Sequence, residues 1–164
     1  MHPDASYERF VDRRTVLTLA RASAGLLALL VAWIHLLHPR LGFGRLLVYL
    51  EVGTLYDPRP PLFVAASLLV MVGVGLGLLG SYRRQLYLGG IALMIVMLVG
   101  YVAWHTVLDH GGFWPHLHAH AHDHHGVVET MVIHLANDRV ALVSKVSEVV
   151  LLVLLLALYH ADRE

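Results

Sequence analysis

"PLFVAASLLVMVGVGLGLLGSYRRQLYLGGIALMIVMLVGYVAWHTVL", residues 61–108, decides the fold. Two runs free of Asp, Glu, Lys and Arg, at 61–80 and 85–108, flank the basic pair Arg83 and Arg84. A bilayer core about 30 Å thick is crossed by about twenty apolar residues in a helix, the form that bonds every backbone group within its own segment. Both runs meet that length. Outward from them, "LARASAGLLALLVAWIHLLH" at 19–38 supplies a third span, with Arg21 near enough to its start to snorkel. "RVALVSKVSEVVLLVLLLALYH" at 139–160 supplies a fourth, although Lys145 and Glu148 share one of its faces at i, i+3. The pattern predicts an all-α polytopic membrane protein, with four transmembrane helices in a single membrane domain over 1–164.

Composition agrees with that solvent. Of the 164 residues, 57% are hydrophobic and 15% charged, and the mean hydropathy is +0.65. A soluble domain would be nearer half apolar and about a quarter charged. Twelve basic residues balance twelve acidic ones, so no net field recruits nucleic acid. The chain has no cysteine, which excludes disulfides, thiolate metal sites and cysteine-held iron–sulfur clusters. A nucleophile elbow, a P-loop, a dinucleotide fingerprint and the separated histidine boxes of membrane di-iron enzymes are all missing, so the expectation leans away from an enzyme.

Two connecting stretches are more than loops. "FGRLLVYLEVGTLYDPRPP" is amphipathic over about a dozen residues, which at ~1.5 Å each reach only roughly 18 Å. That predicts a helix that lies at the membrane interface or a segment that re-enters it. "GVVETMVIHLAND" places Val127, Val128, Met131, Val132 and Leu135 on one helical face, predicting either a second interfacial helix or an extension of the fourth span. The small residues "ARASAG" precede the first apolar run rather than follow it, so the first span is expected to be retained. Arg9, Arg13, Arg14, Arg21, Arg83, Arg84 and Arg163 fall on one side, against Arg40, Arg45, Arg59, Arg139 and Lys145 on the other. The excess predicts a multi-pass protein of the cell membrane with both termini cytoplasmic and the loop 109–126 outside.

Histidine carries the functional signal. "HLHAHAHDHH", 116–125, holds His116, His118, His120, His122, His124 and His125, and alternation aligns the first five on one side of an extended chain. Imidazole suits Zn, Cu and Ni, so this extramembrane loop reads as a metal collector. A more ordered site is expected from the span ends. "WIHLLH" sets His35 and His38 at i, i+3, and "WHTVLDH" sets His105 and Asp109 at i, i+4 with His110 next; two helices with two ligands each could build a four-coordinate site. His134, Asp138, Lys145 and Glu148 follow at offsets of four, seven and three, so a continuous helix would align them as an ion path.

The stretch "AWIHLLHPRLGFGRLLVYLEVGTLYDPRPPLFVAASLLVMVGVGLGLL", residues 32–79, resembles small uncharacterised four-helix membrane proteins of haloarchaea. The resemblance covers nearly a third of the chain and implies a multi-pass membrane protein, with no activity or site residue to carry over. The expected function is therefore binding of a transition metal ion (Zn, Cu or Ni) at the extracytoplasmic face, for uptake or sensing. Two alternatives stand beside it. One is a haem b electron-transfer subunit with His35 and His105 as axial ligands; the other is an accessory subunit of a larger membrane complex. The expected partners are the lipid bilayer and the ion, with a homo-oligomer or a larger complex left open.

Overall fold

The computed structural model describes the backbone of residues 5–117 and 126–162, and the side chains from residue 13 onward within those ranges. Among them all regular structure is helical: α1 (Ala5–Leu36), α2 (Phe43–Val52), α3 (Arg59–Leu78), α4 (Arg83–His105), a 3-10 turn (Asp109–Gly111), α5 (Val127–Asn137) and α6 (Arg139–Ala161). Four segments are long and apolar enough to cross a membrane: Arg13–Leu36, Arg59–Leu78, Arg83–His105 and Arg139–Ala161. The connecting helices α2 and α5, of 10 and 11 residues, are too short to do so.

Local chemistry sets the ends of these helices, and several ends differ from the hydropathy reading. α1 starts well before residue 19 and stops at Leu36, because Pro39 pushes the residue before it out of helical geometry. Arg21 is accommodated inside α1 by pairing with Asp162, just beyond α6, at 2.6 Å. α4 stops at His105 rather than running to 108, since the chain turns left-handed at Asp109, His110 and Gly111 (φ 44°, 53° and 86°). Prolines 58, 60 and 61 crowd the start of α3, where a missing N–H costs nothing. α2 ends on Gly53 at φ 70°.

The fourth span and the helix before it are separate. Asp138 has extended backbone (φ −122°, ψ 98°), and its carboxylate accepts from the Val140 and Ala141 amides at 2.9 and 3.0 Å, which caps α6. The aligned path of His134, Asp138, Lys145 and Glu148 needed one continuous helix. Asp138 is spent on the corner instead.

The four long helices pack in the order α3, α1, α6, α4, and α3 comes back only loosely against α4. Their shared core is Ala24 and Val31 of α1, Tyr87 and Met94 of α4, and Leu151 and Leu158 of α6. Outside that core the spans present apolar side chains such as Leu26, Leu69, Val96 and Val153 to the surroundings. Such an apolar surface is compatible with a lipid surrounding. Because α1 and α3 run opposite to one another, as do α4 and α6, the ends of α1 and α4 and the starts of α3 and α6 meet at one end of the bundle. The described histidines other than His160 are gathered there.

Candidate metal centre

α4 delivers His105 in its last turn, the left-handed turn delivers His110, and α5 delivers His134. One ring nitrogen from each lies within 4.8 Å of the other two, the one such grouping of metal-ligating side chains among the described residues. The ring centroids of His105 and His134 are 4.6 Å apart, and those of His105 and His110 are 5.0 Å apart. All three rings are half-buried.

Backbone carbonyls decide which nitrogen faces inward. His105 Nδ1 donates to the Tyr101 carbonyl at 2.8 Å, and His134 Nδ1 donates to the Thr130 carbonyl at 2.8 Å. A carbonyl can only accept, so in the neutral rings the proton stays on Nδ1 and Nε2 presents a lone pair. This is the outer-sphere arrangement that orients imidazole ligands. His110 Nε2 lies 3.2 Å from His134 Nε2. A tetrahedral ion with bonds of about 2.0–2.1 Å holds nitrogens roughly 3.3 Å apart, so that pair already has the spacing, and His105 has to close by at most about 1.5 Å. With an ion between them, His110 must carry its own proton on Nδ1. Three neutral nitrogens leave a fourth position open, as in zinc sites that exchange or activate a ligand.

The turn that carries His110 is strained and propped. Asp and His are among the few non-glycine residues that adopt positive φ with any frequency, and here they do so consecutively. Gly111 completes the turn at φ 86°, and a Cβ there would stand 2.4 Å from the Trp104 ring and 2.8 Å from Leu117. Trp104 cannot easily yield. It is buried, with the Arg59 guanidinium 4.1 Å above its ring, and Arg59 is itself held by Asp57 at 2.6 Å. Trp114 Nε1 then ties the segment to the Leu55 carbonyl at 3.1 Å. Gly111→Ala should therefore displace His110, costing roughly 2–4 kcal/mol through the left-handed backbone and the overlap together. Thermal unfolding in detergent and the ion affinity should fall in parallel.

The expected ligands are thus distributed in three ways. His105, His110 and His134 come together. His35, His38 and Asp109 are not in that grouping. His35 turns its Nε2 to Glu148 at 3.3 Å and packs edge-on to Phe63, while His38 Nδ1 accepts from the Arg40 amide at 3.2 Å. Burial lowers the His38 pKa from its ordinary value. His116 is exposed, its ring centroid 5.2 Å from that of Tyr56. The remaining loop histidines, His118, His120, His122, His124 and His125, lie outside the described residues.

Of two voids in the bundle, neither is lined by both His35 and His105. Beside His35 the void lined by Val31, Ala32, Ser67, Met94 and Met97 is about 10 Å³, room for no more than a water. The large groove between α1, α3 and α4, about 1030 Å³, has no histidine in its lining. His35 and His105 also turn to separate partners.

Lys145 and Glu148 form a closed ion pair, with Lys145 Nζ 2.7 Å from both carboxylate oxygens. Ser144 donates to Glu148 at 2.9 Å, and the Lys145 ammonium stands 5.1 Å from the Tyr101 ring centroid. The sequence reading overlooked Ser144 and Tyr101. Their signal was there, since Ser144 precedes Glu148, and Tyr101 precedes His105, by one i, i+4 step. Comparison with protein-family models, with curated proteins and with solved structures found no match to this chain.

Proposed function

We propose that this chain is a membrane protein that binds a transition metal ion, Zn, Cu or Ni, at the histidine-rich end of its bundle through His105, His110 and His134. The observation that carries this reading is the convergence of three imidazoles from three different elements, two with their tautomer set by a backbone carbonyl. Lone pairs facing one another repel unless a proton or a cation lies between them. A neutral N-donor set favours these borderline ions over Mg or Ca, which prefer oxygen.

An open fourth position suits an ion that must be handed on or sensed better than one locked into a structural cage. The run 116–125 falls in the sequence between His110 and His134, and its imidazoles would raise the local supply of ions. With both termini cytoplasmic, as the arginine distribution favours, this end collects from outside the cell. α2 and α5 then lie along the membrane interface at the same end, where their length and amphipathic pattern fit.

Purified protein in detergent should be loaded with Zn or Cu, dialysed, and read by elemental analysis together with an absorption spectrum. One tightly held ion per chain and no Soret band is the expected result; a Soret band would establish the cytochrome instead. Glutamine at 116, 118, 120, 122, 124 and 125 should abolish the weak, multiple-ion phase of a binding titration and keep the tight one. Loss of both phases would place the site in the loop and end the triad reading.

A further inference from the structure

We infer that the bundle interior contains a proton-binding site, lying between His35 Nε2 and Glu148 Oε1. The argument is a count of hydrogens. His35 Nδ1 lies 2.8 Å from the Val31 carbonyl, so Nδ1 holds the ring proton and Nε2 of the neutral ring has only a lone pair. That lone pair points at Glu148 Oε1, 3.3 Å away, and a carboxylate oxygen also only accepts.

Among the described residues no neighbour supplies the missing hydrogen. Ser144 has one hydroxyl proton, which goes to Glu148 Oε1 at 2.9 Å, leaving the longer 3.5 Å contact with His35 Nε2 unserved. Lys145 directs its hydrogens at the two Glu148 oxygens and at the Tyr101 ring. The charged and titratable groups around the pair are Lys145 and Glu148 from α6, Tyr101 from α4 beneath the ammonium, and His38 beyond the end of α1; α3 contributes the Phe63 ring, with Ser67 bonded back to the Phe63 carbonyl.

With Lys145 charged and Glu148 ionised the cluster is neutral, yet two acceptors face each other where Glu148 is 0% and His35 only 4% exposed. One proton given up by hydronium, which leaves as water, converts the contact into a hydrogen bond. Either an Nε2–H bond forms and donates to the carboxylate, or an Oε1–H bond forms and donates to the ring. In both forms nothing is oxidised and the cluster gains one positive charge. At ~1.5 Å per residue Glu148 lies roughly 14 Å along α6 from Arg139, well inside the span. Ionisable groups at such depth are costly to keep and mark proton or ion handling in membrane proteins.

The site is independent of the ion at the triad and is tested without one. Full-length protein with ¹⁵N-labelled histidine, in metal-free lipid nanodiscs, should be followed by NMR and infrared difference spectroscopy from mildly alkaline to mildly acidic buffer. The expected result is uptake of a single proton that either protonates both nitrogens of the His35 ring or produces a carboxylic-acid band from Glu148. Its signals are assigned by their loss in His35→Gln. Glu148→Gln, whose amide can itself donate to Nε2, should remove the uptake and leave His35 neutral. If either variant fails to fold, the wild-type ring signals decide, because only a ring with Nδ1 protonated and Nε2 hydrogen-bonded fits. A neutral His35 carrying its proton on Nε2, or a His35 and Glu148 unchanged over the whole range, would overturn the inference.

Discussion

His134→Ala should weaken the tightly held ion by roughly a hundredfold or more, given that loss of a mere outer-sphere partner costs 10–100-fold. Its Nε2 is the nitrogen that stands 3.2 Å from His110, and of the other two imidazoles its ring is the nearer to His105. Removing it leaves two imidazoles from α4 and the adjoining turn, with nothing from α5. His38→Ala is the matched control. That imidazole bonds locally to the Arg40 amide, so the ion should be retained within a few-fold. The measurement is competition against a chelator of known affinity, on both variants and at two pH values. Affinity should also fall as the buffer passes below about pH 6, because protons compete for the same imidazole lone pairs. Equal losses in the two variants would show that the ion does not sit on the triad.

Glu148→Ala should be the most damaging substitution in the bundle, destabilising by about 3–5 kcal/mol. The carboxylate is fully buried and is the partner of Lys145, Ser144 and His35 together. Truncating it strands an ammonium whose side chain is only 12% exposed. The double change Lys145→Met with Glu148→Leu, which removes both charges and keeps the volume, should recover most of that loss. Asp162→Ala supplies the contrast. It breaks the Arg21 pair at 2.6 Å, but those side chains are 32% and 20% exposed, so the cost should stay within about 1 kcal/mol. Unfolding in a graded detergent mixture reads all three. A Glu148→Ala variant as stable as Asp162→Ala would mean that the buried pair contributes little.

The two predictions rest on features that were legible to different degrees. Four long apolar helices could be read directly, because the cost of placing a residue in lipid belongs to that residue and sums along the chain. Short α2 and α5 were legible from amphipathic runs too brief to cross, though the pattern of 127–137 left open a continuation into the fourth span. The choice was made at Asn137 and Asp138, where a capping side chain outcompetes one more turn of helix. Helix ends were misjudged where something other than hydropathy ruled, as at Pro39 and at the left-handed run after His105.

The site itself was legible as a set of residue types and not as a grouping. His105 and His110, five apart, would point about 140° from one another on a helix, and only the left-handed turn braced on Trp104 brings them together. His134 joins them because α5 folds back against α4. His35 pairs with Glu148 rather than with His105 because α1 packs on α6 at that depth, a matter of which faces meet. The sequence by itself determined the apolar character, the number of long helices and the supply of imidazoles, each a sum over single residues. Only the tertiary structure decided which imidazoles come together and which one faces a carboxylate, because coordination and hydrogen bonding require directed atoms within about 3 Å, and no one-dimensional spacing specifies that across separate elements.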